Sequence, residues 1–259
     1  MLYPRIIPCL LIHNNGLVKT VNFKDGKYVG DPLNAVRIFN EKEVDELIVL
    51  DIDATVLRHE PNYNLIERIA KECRMPLCYG GGIKTIDQAK KILGFGVEKI
   101  SISSAAIEDS NIVTNLSKAI GNQSVVVVLD VHKKRITGKY EIYTENGKVS
   151  TGLNPIKFAE EMQKKGAGEI VINSIDNDGI MKGYDLDLIE KVNKSISIPM
   201  TVLGGAGSLE DIGKVINKFG IIGVSAGSLF VFKGKYKAVL INYPNQKEKE
   251  TLMKKYFLF

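Results

Sequence analysis

Eight short apolar runs recur along the chain, each followed by turn residues and then by a stretch with apolar residues at helical spacing. They are RIIPCLLI (5–12), ELIVLDI (46–52), PLCYG (76–80), EKISIS (98–103), SVVVVLD (124–130), EIVINSI (169–175), IPMTVLG (198–204) and IIGVSAG (221–227). The runs are dense in Ile and Val without alternation, the pattern of strands buried on both faces of a parallel sheet. Helical patterns lie between them, among them NLIERIAKEC (64–73), TIDQAKKILGFG (85–96), NPIKFAEEMQKKG (154–166) and DLIEKVNKS (187–195). Several end at or near Gly, a usual helix stop. Eight strand–helix units predict an α/β fold, a single-domain (βα)8 TIM barrel; a doubly wound open sheet is the competing architecture.

An internal repeat favours the barrel. ELIVLDID (46–53) superimposes on EIVINSID (169–176), GGGIKTIDQAKKI (80–92) on GGAGSLEDIGKVI (204–216), and PCLLIH (8–13) on VVLDVH (127–132). SSAAIED (103–109) pairs more loosely with SAGSLFV (225–231). Residues 1–259 therefore read as one domain built from two half-barrels, about 1–123 and 124–259. No linker is expected between them, since closure removes the exposed edges of a half-barrel. Two stretches interrupt the pattern. Residues 13–31 make a long loop rich in Gly, Asn and Lys, of the kind that is functional or disordered. Residues 131–151 contain two alternating runs around Asn146-Gly147, which predicts a β-hairpin.

Composition adds limits. The chain is 44% hydrophobic and 25% charged, with net charge +5. Its lysines are spread through the sequence, and no basic stripe with interleaved aromatics suggests nucleic-acid binding. Cys9, Cys73 and Cys78 form no CxxC pair, so neither a disulfide framework, a zinc site nor another metal or cofactor is expected. No run approaches a membrane span and no signal-peptide pattern opens the chain, so a cytoplasmic location is expected.

Candidate chemistry gathers where the strands end. Gly81-Gly82 follow the third strand and Gly204-Gly205 the seventh; Ser103-Ser104 follow the fourth, and Ala226-Gly227-Ser228 the eighth. Glycine turns with free amides at helix starts hold phosphate, and paired seventh- and eighth-strand turns form a common barrel phosphate site. Two such places on one rim predict an elongated substrate, a phosphorylated small molecule with a phosphate at each end. Asp51, Asp53, Asp130, Asp176 and Asp178 also stand at strand ends, where a carboxylate tuned by burial serves as acid or base. Lys19, in the first loop, is placed to hold an anion over the rim. Arg5, Glu46, Lys99 and Glu169 begin the first, second, fourth and sixth strands, where charges generally form stabilising ion pairs.

Over nearly its whole length the sequence resembles the cyclase subunit of imidazole glycerol phosphate synthase, in the histidine-biosynthesis barrel family. The stretches that carry the likeness are RIIPCL, VKTVNF, DELIVLDIDA, GGGI, GGAG with its following helix, and GAGEIVINSIDNDG…GYD. The resemblance implies a glutaminase subunit at the N-terminal barrel face. Ammonia would enter there through a charged ring, here Arg5, Glu46, Lys99 and Glu169, and react at the C-terminal rim with a bisphosphorylated substrate. Lys19, Asn22, Asp130, Asp178 and the glycine turns also match the family pattern.

The departures are at the rim. The family's cyclase uses two carboxylates, at the ends of the first and fifth strands; this chain keeps Asp130 and has Leu11 at the other position. Ser103-Ser104 replace Asn-Thr, Leu203 replaces Ser, and Ile180 replaces Thr. The segment 237–259 also departs from the family's final helix: Tyr243-Pro244 interrupts it, and its apolar end would cap the barrel or touch a partner. Similar paralogues act beside a glutaminase-like subunit and a sugar amidotransferase, delivering ammonia that converts an N-acetyl group to an acetamidino group in surface-polysaccharide synthesis. Three readings stay open: such an ammonia-delivery subunit, a true cyclase that tolerates Leu11, and a non-catalytic scaffold.

Overall fold

The computed structural model describes residues 3–257. Its centre is a ring of eight parallel strands: β1 (Arg5–His13), β2 (Leu47–Asp51), β3 (Leu77–Gly80), β4 (Lys99–Ile102), β5 (Val125–Lys133), β6 (Glu169–Ser174), β7 (Met200–Leu203) and β8 (Gly223–Ala226). Each pairs with its neighbours in chain order. β8 returns to β1 through Arg5↔Gly223 and Ile6↔Val224, which closes the barrel and excludes the open sheet. The chain is a (βα)8 barrel. All eight predicted strands are present, each boundary within about three residues of the reading from the apolar runs, because strands buried on both faces leave an unbroken apolar signature.

Helices cover the outside, and their starts are encoded locally. Thr85 with Gln88 and Ser208 with Asp211 form reciprocal capping boxes, while Asp31, Asn62, Asn154 and Asp185 cap through one side chain each. Such caps contribute roughly 1 kcal/mol each and fix where a helix starts.

Two antiparallel arms rise from the C-terminal rim at related places. The first loop is itself a hairpin, Gly16–Val21 with Lys24–Gly30, that continues β1. The second, Tyr140–Thr144 with Val149–Ser150, turns at Asn146-Gly147 as the turn chemistry predicts; both residues have positive φ. The two arms cross the mouth. Asn22 Nδ2 donates to the carbonyls of Ile175 (3.0 Å) and Asp176 (2.7 Å) beyond β6, and Asn146 Nδ2 donates to the Ile52 carbonyl beyond β2 at 2.9 Å.

The C-terminal segment wraps back to the opposite, N-terminal end. Asn245 caps a helix, Gln246–Tyr256, whose Tyr256 packs over Gly213. Tyr243 donates its hydroxyl to the Ile6 carbonyl at 2.8 Å, and Asp45 accepts from the Ile6 amide at 2.9 Å. The first strand is thus gripped from outside beside Arg5. The apolar end discussed above, Leu258-Phe259, lies outside the described residues. Among the described residues no helix is long and apolar enough to cross a membrane.

Candidate functional site

The C-terminal mouth is divided into two lobes that share Asp130. One is lined by Leu11, Lys19, Asp178, Gly204, Gly205, Ala226, Gly227 and Ser228, with Cys9, Thr20, Asn173 and Leu203 completing its floor. The other is lined by Asp51, Gly81, Gly82, Ser103 and Ser104, with Gly80, Ser101 and Asn146 beside them. The predicted site residues therefore sort into two groups around one carboxylate. Asn22 is absent from both walls, because its amide is spent on the two carbonyls beyond β6.

Asp130 extends β5 inward, and its Oδ1 accepts a hydrogen bond from Asn173 Nδ2 at 2.9 Å. Burial pushes its carboxyl up to about 6; the Asn173 bond opposes the rise and the nearby Asp178 charge adds to it. Asp178 is also shifted upward by burial, against the opposing Thr20 hydroxyl (2.7 Å) and the Lys19 charge. Lys19 is buried, donates to the Cys9 carbonyl, and is shifted downward by loss of solvent. A carboxyl near neutrality beside a second carboxyl and a buried amine is a proton-transfer constellation. Leu11 brings no polar atom to it and packs with Leu50 against the barrel interior.

A pH-dependent consequence follows for Asp130. Its folded value lies above the unfolded one, so ionisation costs stability as pH rises through about 6. Asp130→Asn keeps an acceptor for Asn173 without the charge. It is expected to gain on the wild type, on the order of 1–2 kcal/mol between pH 5 and pH 8, after allowance for the open face of the carboxylate. Urea unfolding at the two pH values measures this; an equal difference at both would show that Asp130 does not titrate there.

The glycine turns require glycine for their own backbone and packing. Gly81, Gly82, Gly204 and Gly205 all have positive φ, and a side chain at Gly81 or Gly205 would collide with the carbonyl of Asp51 or Gly183. The Lys19 ammonium stands over Gly227, 2.6 Å from where a β-carbon would be. The Ser103 hydroxyl is buried without a hydrogen-bond partner. Asp51, by contrast, accepts from the amides of Asp53 (2.9 Å) and Ala54 (3.2 Å), so one of its oxygens is occupied by its own turn.

At the other end of the barrel the four charged side chains form an alternating square. Arg5 pairs with Glu46 and, at 2.7 Å, with Glu169; Lys99 pairs with Glu46 at 2.8 Å and with Glu169 at 2.9 Å. Thr201 adds a hydroxyl to Glu169 at 2.6 Å. Burial alone would raise the Glu169 carboxyl, but Arg5 and Lys99 outweigh it and hold it low. The same carboxylates outweigh burial at Arg5 and Lys99 and hold both cations high. Between square and mouth the interior is mostly apolar: Ile7, Cys9, Ile48, Cys78, Val126, Val128, Val171 and Leu203 pack together, with Leu11 and Leu50 above them and the buried Ser101 hydroxyl beside Cys78.

Sequence reading missed Asn173 and two matched rim pairs, His13 Nδ1 with Asp53 Oδ1 (2.6 Å) and His132 Nδ1 with Asp176 Oδ1 (2.7 Å). Asn173 had a signal, a lone amide in an otherwise apolar run, since a buried amide needs partners. The His–Asp pairs had only the repeat: each joins the end of one strand to the turn after the next.

The fold and the rim define a (βα)8 barrel with its candidate chemistry at the C-terminal strand ends. The family model described as histidine biosynthesis protein matches residues 5–237. The chain is 59% identical over 250 residues, 96% of each chain, to "Putative imidazole glycerol phosphate synthase subunit hisF3" of Vibrio vulnificus. It is 50% identical over 245 residues, 95% of this chain and 97% of the relative, to the "Putative imidazole glycerol phosphate synthase subunit hisF2" of Pseudomonas aeruginosa. With "Imidazole glycerol phosphate synthase subunit HisF" of Sulfolobus acidocaldarius identity is 42% over 207 residues, 80% of this chain and 82% of the relative. The chain belongs to this histidine-biosynthesis family, as an imidazole glycerol phosphate synthase cyclase subunit type.

Proposed function

We propose that this chain is a cyclase-type subunit that has kept the ammonia-admitting end of the barrel and lost half of the proton-transfer pair at its mouth. It pairs with a glutaminase at the N-terminal face and passes ammonia to a sugar amidotransferase that converts an N-acetyl group to an acetamidino group. The observation that carries the reading is the contrast between the two ends. Arg5, Glu46, Lys99 and Glu169 form a complete charged square, while Asp130 shares its pocket with Leu11. The apolar interior suits neutral ammonia, whereas ammonium would lose its hydration there. The numbered names hisF3 and hisF2 of two similar proteins also suit a second copy beside a biosynthetic one.

A true cyclase remains the second reading. Asp178, in the same lobe as Leu11 and shifted upward by burial, favours it as a replacement acid; Asp51 is less suited, with one oxygen occupied. In either reading the two glycine-lined lobes take the phosphates of a phosphorylated small molecule. The test is turnover of the family's bisphosphorylated substrate by the purified protein with excess ammonium, so that no glutaminase is needed. No turnover above background is expected. Turnover at a rate useful to a cell would restore the histidine-pathway cyclase.

A further inference from the structure

The lysines that look scattered along the sequence are gathered by the fold. The returning strand of the first arm, KDGKY (24–28), and the hairpin turn KGKYK (233–237) meet at the C-terminal rim. Lys27 Nζ donates to the Lys237 carbonyl at 3.1 Å and stands 5.1 Å from the centre of the Phe232 ring, so the two segments form one surface. Lys24, Lys27, Lys233, Lys235 and Lys237 are all exposed, and none has an ion-pair partner among the described residues. One acid, Asp25, accompanies them, which concentrates on these two segments a charge comparable to the chain's whole net +5. Tyr236 is 89% exposed and Tyr28 65%, with Leu240 at 50% and Val239 at 44% beside them.

We infer that this patch docks an acidic protein surface, that of the enzyme that consumes the ammonia. The inference rests on the function proposed above and names where its acceptor binds. Exposed tyrosines with adjacent aliphatic groups supply anchors of the kind that dominate protein interfaces, and surrounding like charges steer an oppositely charged partner into register. Position singles out this partner. The strand that carries Lys24, Lys27 and Tyr28 pairs with the one that carries Lys19 into the mouth, with Lys27 opposite Lys19, so a protein seated on it stands beside the exit of the barrel. An ammonia consumer must cover that exit, because a small neutral molecule released into solvent is lost by diffusion. The glutaminase face is at the opposite end of the barrel and is left free.

The experiment uses the barrel in complex with its glutaminase and the purified sugar amidotransferase of the same organism, on a biosensor at low and physiological salt. The wild type is expected to bind. Lys24→Glu/Lys235→Glu/Lys237→Glu should bind at least about tenfold more weakly, with the loss largest in the association rate at low salt. Tyr236→Ala should weaken binding by roughly threefold or more through faster dissociation, with its salt dependence kept. Lys90→Glu/Lys118→Glu/Lys164→Glu, at three exposed lysines on outer helices, makes the same change in net charge away from the patch and should bind as the wild type does. Equal binding by all variants would overturn the patch while leaving ammonia delivery intact. No binding by the wild type would overturn the acceptor assignment itself. Binding of anionic vesicles (equal parts phosphatidylcholine and phosphatidylglycerol) or of single-stranded DNA, lost in the Lys24→Glu/Lys235→Glu/Lys237→Glu variant while amidotransferase binding persists, would reassign the patch to a membrane or to nucleic acid.

Discussion

Leu11→Asp is expected to raise ammonium-dependent cyclase turnover by about 10²–10⁴-fold over the wild type, the usual worth of one positioned acid–base group. The new carboxylate would enter the lobe that already holds Asp130, Asp178 and Lys19. Its charge would push Asp130 higher still than about 6, and Lys19 would partly offset that. Two carboxyls driven apart in this way act as an acid and a base, so the gained activity should have a bell-shaped pH profile where the wild type is flat. The substitution also removes apolar packing against Leu50 and buries a charge, a cost of roughly 2–4 kcal/mol. Circular dichroism must therefore accompany the steady-state rates. A folded but inactive Leu11→Asp would move the loss of chemistry elsewhere on the rim, to Ser103, Ser104, Ile180 and Leu203, where the family resemblance implies other or longer polar groups.

Breaking the square at the other end should mainly cost stability. Arg5→Ala leaves Glu46 and Glu169, both buried, with Lys99 as their one remaining cation. Removing one member of a buried ionic network strands the others and costs about 3–5 kcal/mol, or roughly 6–15 °C in melting temperature for a chain of this size. The sign with pH follows from Glu169. Its folded value is held below its unfolded one, so its contribution is present above about pH 4.3 and fades as pH falls through the lower folded value. The gap between wild type and Arg5→Ala should therefore be widest near neutrality and narrow below about pH 4. Thermal unfolding at pH 7 and about pH 2.5 checks it. A gap that does not change with pH would mean that Arg5 stabilises by packing rather than by pairing.

Much of this protein was legible in its sequence. Strands buried on both faces leave apolar runs, caps leave Thr85–Gln88 and Ser208–Asp211 at fixed spacing, and the hairpin turn leaves Asn146-Gly147. These are local signals, set by steric and hydrogen-bonding preferences of a few adjacent residues. That Leu11 cannot carry a proton was equally visible, because this is a property of the residue itself; that a carboxylate belongs at this position is implied only by the family resemblance. The repeat also brought the glycine turns into view as a matched set, and the strand-start charges stood out by their place at the head of apolar runs. What each set does with its neighbours was decided only by tertiary structure. Barrel closure through β8 and β1 sets the register that makes four separate charges an alternating square. It places Asp130 between two lobes and supplies Asn173 to it. The arms show the same limit. The first loop reads as irregular because Asn22-Phe23 and Asp25 reach positive φ without the glycine that usually announces a turn, and its Asn22 serves the far side of the mouth rather than the pocket. The two lysine segments lie about two hundred positions apart in the chain, and their shared surface comes from long-range contacts that no local pattern encodes.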